Sequence, residues 1–104
     1  MKSLAELRIQ LATGLFEFTR HAFRRAIERN IGEGEIREAG AKAVIIEDYP
    51  ADKYSPSCLL LGFTLRGRPL HIQASRAANQ PRVRIITLYE PEPAQWINFT
   101  HRRP

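Results

Sequence analysis

The sequence has little cysteine and no long apolar run, and each of these shortages excludes a class of protein. One cysteine, Cys58, cannot form an internal disulfide or supply a cysteine metal cluster, and its apolar neighbours predict a buried thiol. The longest apolar run, around residues 59–61, is far shorter than the ~20 residues of a membrane-spanning helix. Glu6 and Arg8 stand where a signal peptide needs an uninterrupted apolar core. We therefore expect a cytoplasmic protein that does not bind a membrane.

The positive charge of the chain is almost entirely arginine. The 104 residues include 16 Lys plus Arg against 11 Asp plus Glu, which gives a net charge of +5, and only three of the cations are lysines. The planar guanidinium binds phosphate through two donors at once and stacks on bases. This excess predicts an acidic or phosphate-bearing partner, with RNA as the first candidate.

Helical patterns fill the first half of the chain. Ser3 and Glu6 form a capping box for a first helix, which we expect to be an extra N-terminal element over residues 1–15. Thr19 caps a second helix from Arg20 to about Asn30. The buried stripe of that helix is predicted to be Ala22, Phe23, Ala26 and Ile27, and a third, short helix is predicted over residues 35–39. The first helix offers a possible oligomer contact through Leu4, Leu7 and Leu11.

Strand patterns fill the second half, at residues 43–49, 57–65, 70–75 and 82–89. Trp96 and Phe99 are expected to fold back onto the sheet, and residues 100–104 to form a basic tail that is either frayed or a phosphate-binding patch. The element order predicts a single α+β domain over residues 1–104. In it the N-terminal helices pack on one face of a four-stranded antiparallel sheet, and the other face is open to a ligand.

Six polar residues form the candidate site. His21, Arg25 and Arg29 recur at i, i+4 and i+8, so a helix aligns them in one row. His71 lies between Leu70 and Ile72 in a strand, which predicts an exposed histidine on the face away from the helices. The fourth strand ends with the remaining two candidates, Thr87 and Tyr89.

These residue types suit metal-independent cleavage of RNA. That reaction needs a base for the ribose 2′-hydroxyl, an acid for the departing 5′-oxygen and fixed cations for the charge on the phosphorane. His21 and His71 offer the base and acid, Arg25 and Arg29 offer the cations, and Thr87 or Tyr89 orients the phosphate or donates a proton.

A purely structural interpretation of the same residues is the alternative. The two arginines pair with neighbouring glutamates such as Glu28 on a solvated helix face, and either histidine is structural. The sequence contains no metal-ligand spacing and no phosphate-binding glycine loop, so we expect no metal and no other cofactor.

Five short motifs occur in order and resemble a small bacterial family of unknown function. They are Phe18-Thr19-Arg20-His21-Ala22 with Arg25 and Arg29, then residues 43–50, residues 59–62, Gly67-Arg68-Pro69-Leu70-His71-Ile72, and Ile85-Ile86-Thr87-Leu88-Tyr89 with Pro91 and Trp96. That family looks related to the BrnT and RelE-like toxins, small basic domains of the microbial ribonuclease fold.

The resemblance implies a toxin-like endoribonuclease or an RNA-binding domain, whose RNA is either free or ribosome-associated and which an acidic antitoxin protein holds. It picks out His21, Arg25, Arg29, His71, Thr87 and Tyr89 as the shared polar positions. The alternative is a non-catalytic binding or interaction domain that uses the same face.

Overall fold

Three helices precede most of the strands in the computed structural model, which describes residues 1–104. The helices are α1 (Leu4–Ala12), α2 (Arg20–Glu28) and α3 (Glu33–Ala41), and the strands are β1 (Phe16–Phe18), β2 (Val44–Tyr49), β3 (Ser57–Phe63), β4 (Pro69–Ser75), β5 (Val83–Tyr89), β6 (Trp96–Ile97) and β7 (His101–Arg102). None of these helices combines the length and the apolar character that crossing a membrane requires.

The helices begin where the capping residues predict. The Ser3 hydroxyl accepts a hydrogen bond from the Glu6 amide, and the Glu6 carboxylate accepts one from the Ser3 amide, which completes the capping box of α1. The Thr19 hydroxyl likewise accepts from the Ala22 amide at the start of α2. The predicted starts of α1 and α2 are therefore confirmed.

The main sheet has five strands in the order β1-β5-β4-β3-β2, and β1 runs parallel to β5 while the other pairs are antiparallel. The α+β class is confirmed, but the prediction of four antiparallel strands is wrong. Phe16–Phe18 is too short to give a strand pattern by itself, and its strand conformation comes from pairing with β5. The amide of Val83 donates to the Leu15 carbonyl, and the amide of Thr19 donates to the Ile85 carbonyl, which fixes this pairing.

The core lies between the helices and one face of the sheet, which we call the inner face. Helix α3 is held tightly between α1 and β3 by two glycines. A Cβ atom on Gly62 of β3 would lie 2.0 Å from the Ala39 carbonyl oxygen of α3, and one on Gly40 of α3 would lie 2.3 Å from the Leu11 Cβ of α1. Any side chain at Gly62 would therefore push the sheet away from α3.

Two predictions about the apolar faces of α1 and α2 need correction. Phe23 and Ile27 are 55% and 66% exposed, and only the alanines of the predicted stripe are buried. Their small side chains let α2 approach β5 closely, which turns the two larger apolar side chains toward solvent. In α1, Leu7 and Leu11 are fully buried in the core and Leu4 packs against it, so this leucine row is not available to a second copy.

The outer face of the sheet is only partly open. Strands β6 and β7 form a hairpin that covers the half around His71, and the buried Trp96 lies at its base, as predicted for this aromatic. The hairpin also corrects the prediction of a frayed tail. His101 and Arg102 are paired in β7, and Arg102 binds Glu47 at 3.0 Å and lies 4.7 Å above the Trp96 ring. The end of the outer face around Gln73 carries no such hairpin.

Candidate functional site

The row of polar residues on α2 lies along the edge of β5. Because β1 is only three residues long, it pairs with β5 no further than Ile85, and α2 follows the remainder of the strand. The Nε2 atom of His21 lies 3.2 Å from the Thr87 hydroxyl oxygen. At the other end of α2, Arg29 donates a 2.8 Å hydrogen bond to the Leu88 carbonyl. The i, i+4, i+8 spacing thus brings His21 and Arg29 to adjacent points of one strand.

Tyr89 links this edge to His71. The Arg29 guanidinium carbon lies 5.9 Å from the centre of the Tyr89 ring, and the Tyr89 hydroxyl lies 3.1 Å from Nδ1 of His71. His71 and Tyr89 are direct partners in the β4–β5 ladder, so both side chains emerge on the outer face. The predicted orientation of His71, away from the helices, is therefore confirmed.

The prediction that His71 is exposed is wrong. The side chain is fully buried, because the Trp96 ring packs perpendicular to the imidazole with 4.4 Å between the ring centres. Its Nε2 atom lies 2.6 Å from the carbonyl oxygen of Phe99 in the β6–β7 turn. Sequence periodicity predicts the face of the sheet on which a strand residue lies. It does not predict that His71 is covered, because the covering residues belong to a hairpin more than twenty residues further along the chain.

The hydrogen bonds of His71 define its proton positions. A carbonyl oxygen can only accept, so Nε2 carries a proton and donates it to Phe99. Burial lowers the pKa of His71 below its ordinary value of 6.5, although the bond to Phe99 acts in the opposite direction. The neutral ring therefore presents its Nδ1 lone pair to Tyr89, which donates its hydroxyl proton. Phe99, His71 and Tyr89 form a continuous hydrogen-bonded chain.

The backbone of the covering turn is strained at the residue that His71 contacts. Asn98 and Phe99 both have positive φ, 52° and 63°, in the three-residue turn between β6 and β7. Asparagine tolerates this region, whereas a bulky aromatic residue rarely adopts it. Two contacts offset the cost at Phe99: its carbonyl accepts from His71, and its ring packs edge-on against Phe63 at 6.2 Å.

Tyr89 and Arg29 face an open cleft of about 510 Å³ beyond the end of β5. Burial raises the pKa of Tyr89, so its hydroxyl keeps its proton at neutral pH. Arg29 has no carboxylate partner and makes one side-chain hydrogen bond, to Leu88. Its other N–H donors are therefore available to an anion in the cleft. The lining is completed by Arg68, Glu90, Glu92 and Gln95.

Arg68 is a site residue that the sequence reasoning missed. Its guanidinium bridges Glu35 and Glu90, at 3.0 and 2.8 Å, and also donates to the carbonyls of Arg29 and Asn30. These bonds occupy its donors and fix the end of α2 against β4. The only sequence signal was its place in the turn motif before His71. Arg68 thus holds Arg29 in position and has little capacity left to bind a ligand.

Arg25 does not join the other candidates. It forms a 2.7 Å ion pair with Glu28 on the surface of α2, as the purely structural interpretation predicts for this residue. Five of the six predicted residues therefore form two linked groups on the outer side of β5, His21 with Thr87, and Arg29 with Tyr89 and His71. Nowhere in the chain do three or more His, Cys, Asp or Glu side chains cluster in a way that would hold a metal ion.

Residues 18–90 match a protein family described as a domain of unknown function, DUF4258. The chain belongs to this family. The matched residues of the DUF4258 domain run from β1 to the end of β5 and include all six predicted site residues, whereas α1 and the β6–β7 hairpin lie outside the match. No curated protein and no solved structure gives a significant match.

Proposed function

We propose that this DUF4258 domain binds single-stranded RNA at the edge between α2 and β5 and cleaves it without a metal, in the manner of the RelE-like and BrnT toxins that its motifs resemble. One observation carries the proposal: His21 and Arg29 both reach the end of β5, where His21 contacts Thr87 and Arg29 contacts Leu88 and lies near the Tyr89 ring. Residues 20–29, which are α2 and its C-terminal cap, contain four arginines and one glutamate, so this segment has a local net charge of +3.

The chemistry assigns one role to each accessible group. His21 is exposed and takes the proton of the ribose 2′-hydroxyl, whose oxygen attacks the phosphorus atom. Arg29 donates hydrogen bonds to the phosphorane as its negative charge grows. Tyr89 gives its proton to the 5′-oxygen as the bond from phosphorus to that oxygen breaks. The products are a 2′,3′-cyclic phosphate and a free 5′-hydroxyl.

His71 acts through Tyr89 and does not contact RNA, because it is fully buried and both ring nitrogens have partners. Its Nδ1 atom accepts the hydroxyl proton of Tyr89 before RNA binds and thereby sets the direction of the phenol. It is a positioning residue. The role of His71 as a direct acid or base, which the sequence predicts, is replaced by this one.

A non-catalytic RNA-binding domain is the second candidate, and one observation favours it. His21 is the only exposed histidine at the site, and its Nε2 atom already has a partner in Thr87. A domain that only binds RNA needs Arg29 and its positive surroundings but no acid or base.

The experiment is to incubate the purified chain with a 5′-labelled single-stranded RNA in EDTA. Cleavage that yields 2′,3′-cyclic phosphate ends, and that falls by 100-fold or more in His21→Ala, supports the enzyme. RNA that is bound but stays intact supports the binding domain. RNA that is neither bound nor cut by the partner-free chain contradicts both.

An acidic partner protein, such as an antitoxin, is the remaining part of the proposal. Phe23 and Ile27 are exposed on α2 and line an apolar cleft beside Phe18 of β1, and the neighbouring Arg20 and Arg24 have no carboxylate partner. An acidic amphipathic segment complements this surface in both charge and polarity. We expect Ile27→Ser to abolish binding of such a partner in a pull-down while RNA binding is unchanged, and loss of RNA binding in the same variant would contradict this separation.

A further inference from the structure

The open half of the outer sheet face contains a second cavity, of about 520 Å³. Its floor is formed by Gln73 and Ser75 of β4 and by Ile86 of β5. The loop between β2 and β3 forms one wall through Asp52 and Tyr54. The volume lies within the ~300–1,000 Å³ that is typical of sites for small molecules. This cavity is distinct from the cleft at Arg29, with which it shares no lining residue.

Two residues that line the cavity, Gln80 and Asp52, each have a side-chain oxygen with no hydrogen-bond donor inside the protein, and rotation of the Gln80 side-chain amide would present its oxygen to a ligand. The side-chain oxygen of Gln80 is buried and has no hydrogen-bond partner, the one such atom in the chain. Only one oxygen of the Asp52 carboxylate is used inside the protein, where it accepts from the Ser57 hydroxyl at 2.7 Å. A buried acceptor without a donor is costly, so these oxygens favour a ligand with N–H groups on one edge.

An aromatic ring stands at the rim of the cavity. Tyr54 is 89% exposed, so its ring contributes almost nothing to the core of the protein. The Lys53 ammonium lies 5.5 Å from the ring centre on the same loop. An exposed tyrosine beside a cation is the kind of platform on which proteins stack the bases of single-stranded RNA.

The cavity adjoins the α2–β5 edge at which RNA is proposed to bind. Gln73 is the direct ladder partner of Thr87, whose hydroxyl contacts His21. Thr19 lines the cavity as well, and it caps the helix that carries His21 and Arg29. A nucleotide whose phosphate binds at the α2–β5 edge therefore has its base within reach of the cavity.

We infer that this cavity is a nucleobase subsite that selects bases with an exocyclic amino group, through Gln80 and Asp52, and stacks them on Tyr54. Guanine, adenine and cytosine present amino donors, whereas uracil presents carbonyl oxygens in the corresponding place. The inference rests on the proposed RNA function, since it names the part of the RNA that the domain reads.

The direct test uses nucleosides, which have no phosphate and so do not depend on Arg29. The ¹H–¹⁵N spectrum of the chain is recorded during titration with guanosine, adenosine, cytidine or uridine, and the side-chain amide signals of Gln73 and Gln80 are followed. We expect the three amino-bearing nucleosides to shift these signals at concentrations at least tenfold below that of uridine. Equal responses to all four nucleosides, or no response of either amide, would overturn the inference.

Variants separate this site from the proposed function. Gln80→Ala and Tyr54→Ala are each expected to weaken guanosine binding by about tenfold, whereas Ile9→Ala, at an exposed position of α1, leaves it unchanged. Thermal unfolding of each variant reports whether it folds. If RNA is bound and these variants discriminate among bases as the wild type does, the subsite is wrong and the RNA function stands. If guanosine binds at the cavity but RNA neither binds nor is cut, the subsite stands and the RNA function is wrong.

Discussion

Acidification should destabilise the fold through protonation of His71 as the pH falls below about 6.5. Burial holds the pKa of this imidazole below 6.5 in the folded chain, while the unfolded chain titrates near that value. Between these two pKa values the unfolded state binds more protons, so stability is fully present above about pH 6.5 and is lost as the pH falls. The loss from one histidine is at most about 1.4 kcal/mol for each pH unit.

The assay is urea unfolding followed by fluorescence. Trp96 is the only tryptophan and packs directly on the His71 ring, so its emission reports unfolding at the site itself. With a urea dependence of roughly 1.5 kcal/mol per M, the midpoint should fall by up to about 0.9 M per pH unit below pH 6.5. His71→Gln keeps a donor for the Phe99 carbonyl and should flatten this dependence. Equal slopes in wild type and His71→Gln would refute the protonation argument.

Three further predictions test the packing and the site. Gly62→Ala should lower the free energy of unfolding by about 3 kcal/mol or more, because the added Cβ meets the α3 backbone. The control Gly34→Ala adds a Cβ that meets nothing within 4 Å and should raise the free energy of unfolding by up to about 1 kcal/mol. Equal urea midpoints for the two variants would contradict the close packing of Gly62. Tyr89→Phe should reduce RNA cleavage by at least 100-fold with unchanged RNA affinity, and full activity in a cleavage assay would remove Tyr89 as the acid. Cys58 is buried, and burial raises the pKa of its thiol to about 11. A thiol reagent should therefore modify Cys58 only when urea unfolds the chain. Rapid modification of the native chain would contradict this and show that the core around Cys58 opens.

A second acid-sensitive range lies lower and belongs to two glutamates. The hydrogen bond from the Gly32 amide lowers the pKa of Glu35, despite its partial burial. At Glu47 burial raises the pKa, but hydrogen bonds from Arg102 and Tyr49 outweigh this and hold it below 4.5. Stability from these groups is lost only as the pH falls below 4.5, so it does not overlap the upper part of the His71 range.

Local signals in the sequence were sufficient to predict the positions of most helices and strands. The caps at Ser3 and Thr19 and the β-branched runs set their positions to within a few residues, because these preferences act over a few neighbouring residues. Strand β1 was not predicted as part of the sheet, because three residues carry too little pattern and their partners in β5 lie 67 residues further along the chain. The exposure of Phe23 depended on how α2 meets the sheet, which helical periodicity alone does not define.

Some features of the candidate site could likewise be predicted from local sequence, and others could not. The row of His21 and Arg29 followed from helical spacing, and the face of His71 followed from strand alternation. The burial of His71 could not be predicted because it depends on Trp96 and Phe99 in a hairpin with positive φ at two non-glycine residues. The cavity at Gln80 was missed as well, because its residues come from five separate segments of the chain: the cap of α2, the β2–β3 loop, β4, the β4–β5 loop and β5.

The affinity for single-stranded RNA across a range of salt concentrations tests the central claim most directly, in the wild type and in two variants of the same helix. Arg29 faces the cleft, whereas Arg24 is exposed on the side of α2 away from β5. Each phosphate contact adds about 0.7 to the slope of log affinity against log salt. Arg29→Ala should therefore reduce that slope by about 0.7 and weaken binding, while Arg24→Ala leaves both unchanged. An Arg29→Ala slope equal to that of the wild type would contradict an RNA site at the α2–β5 edge.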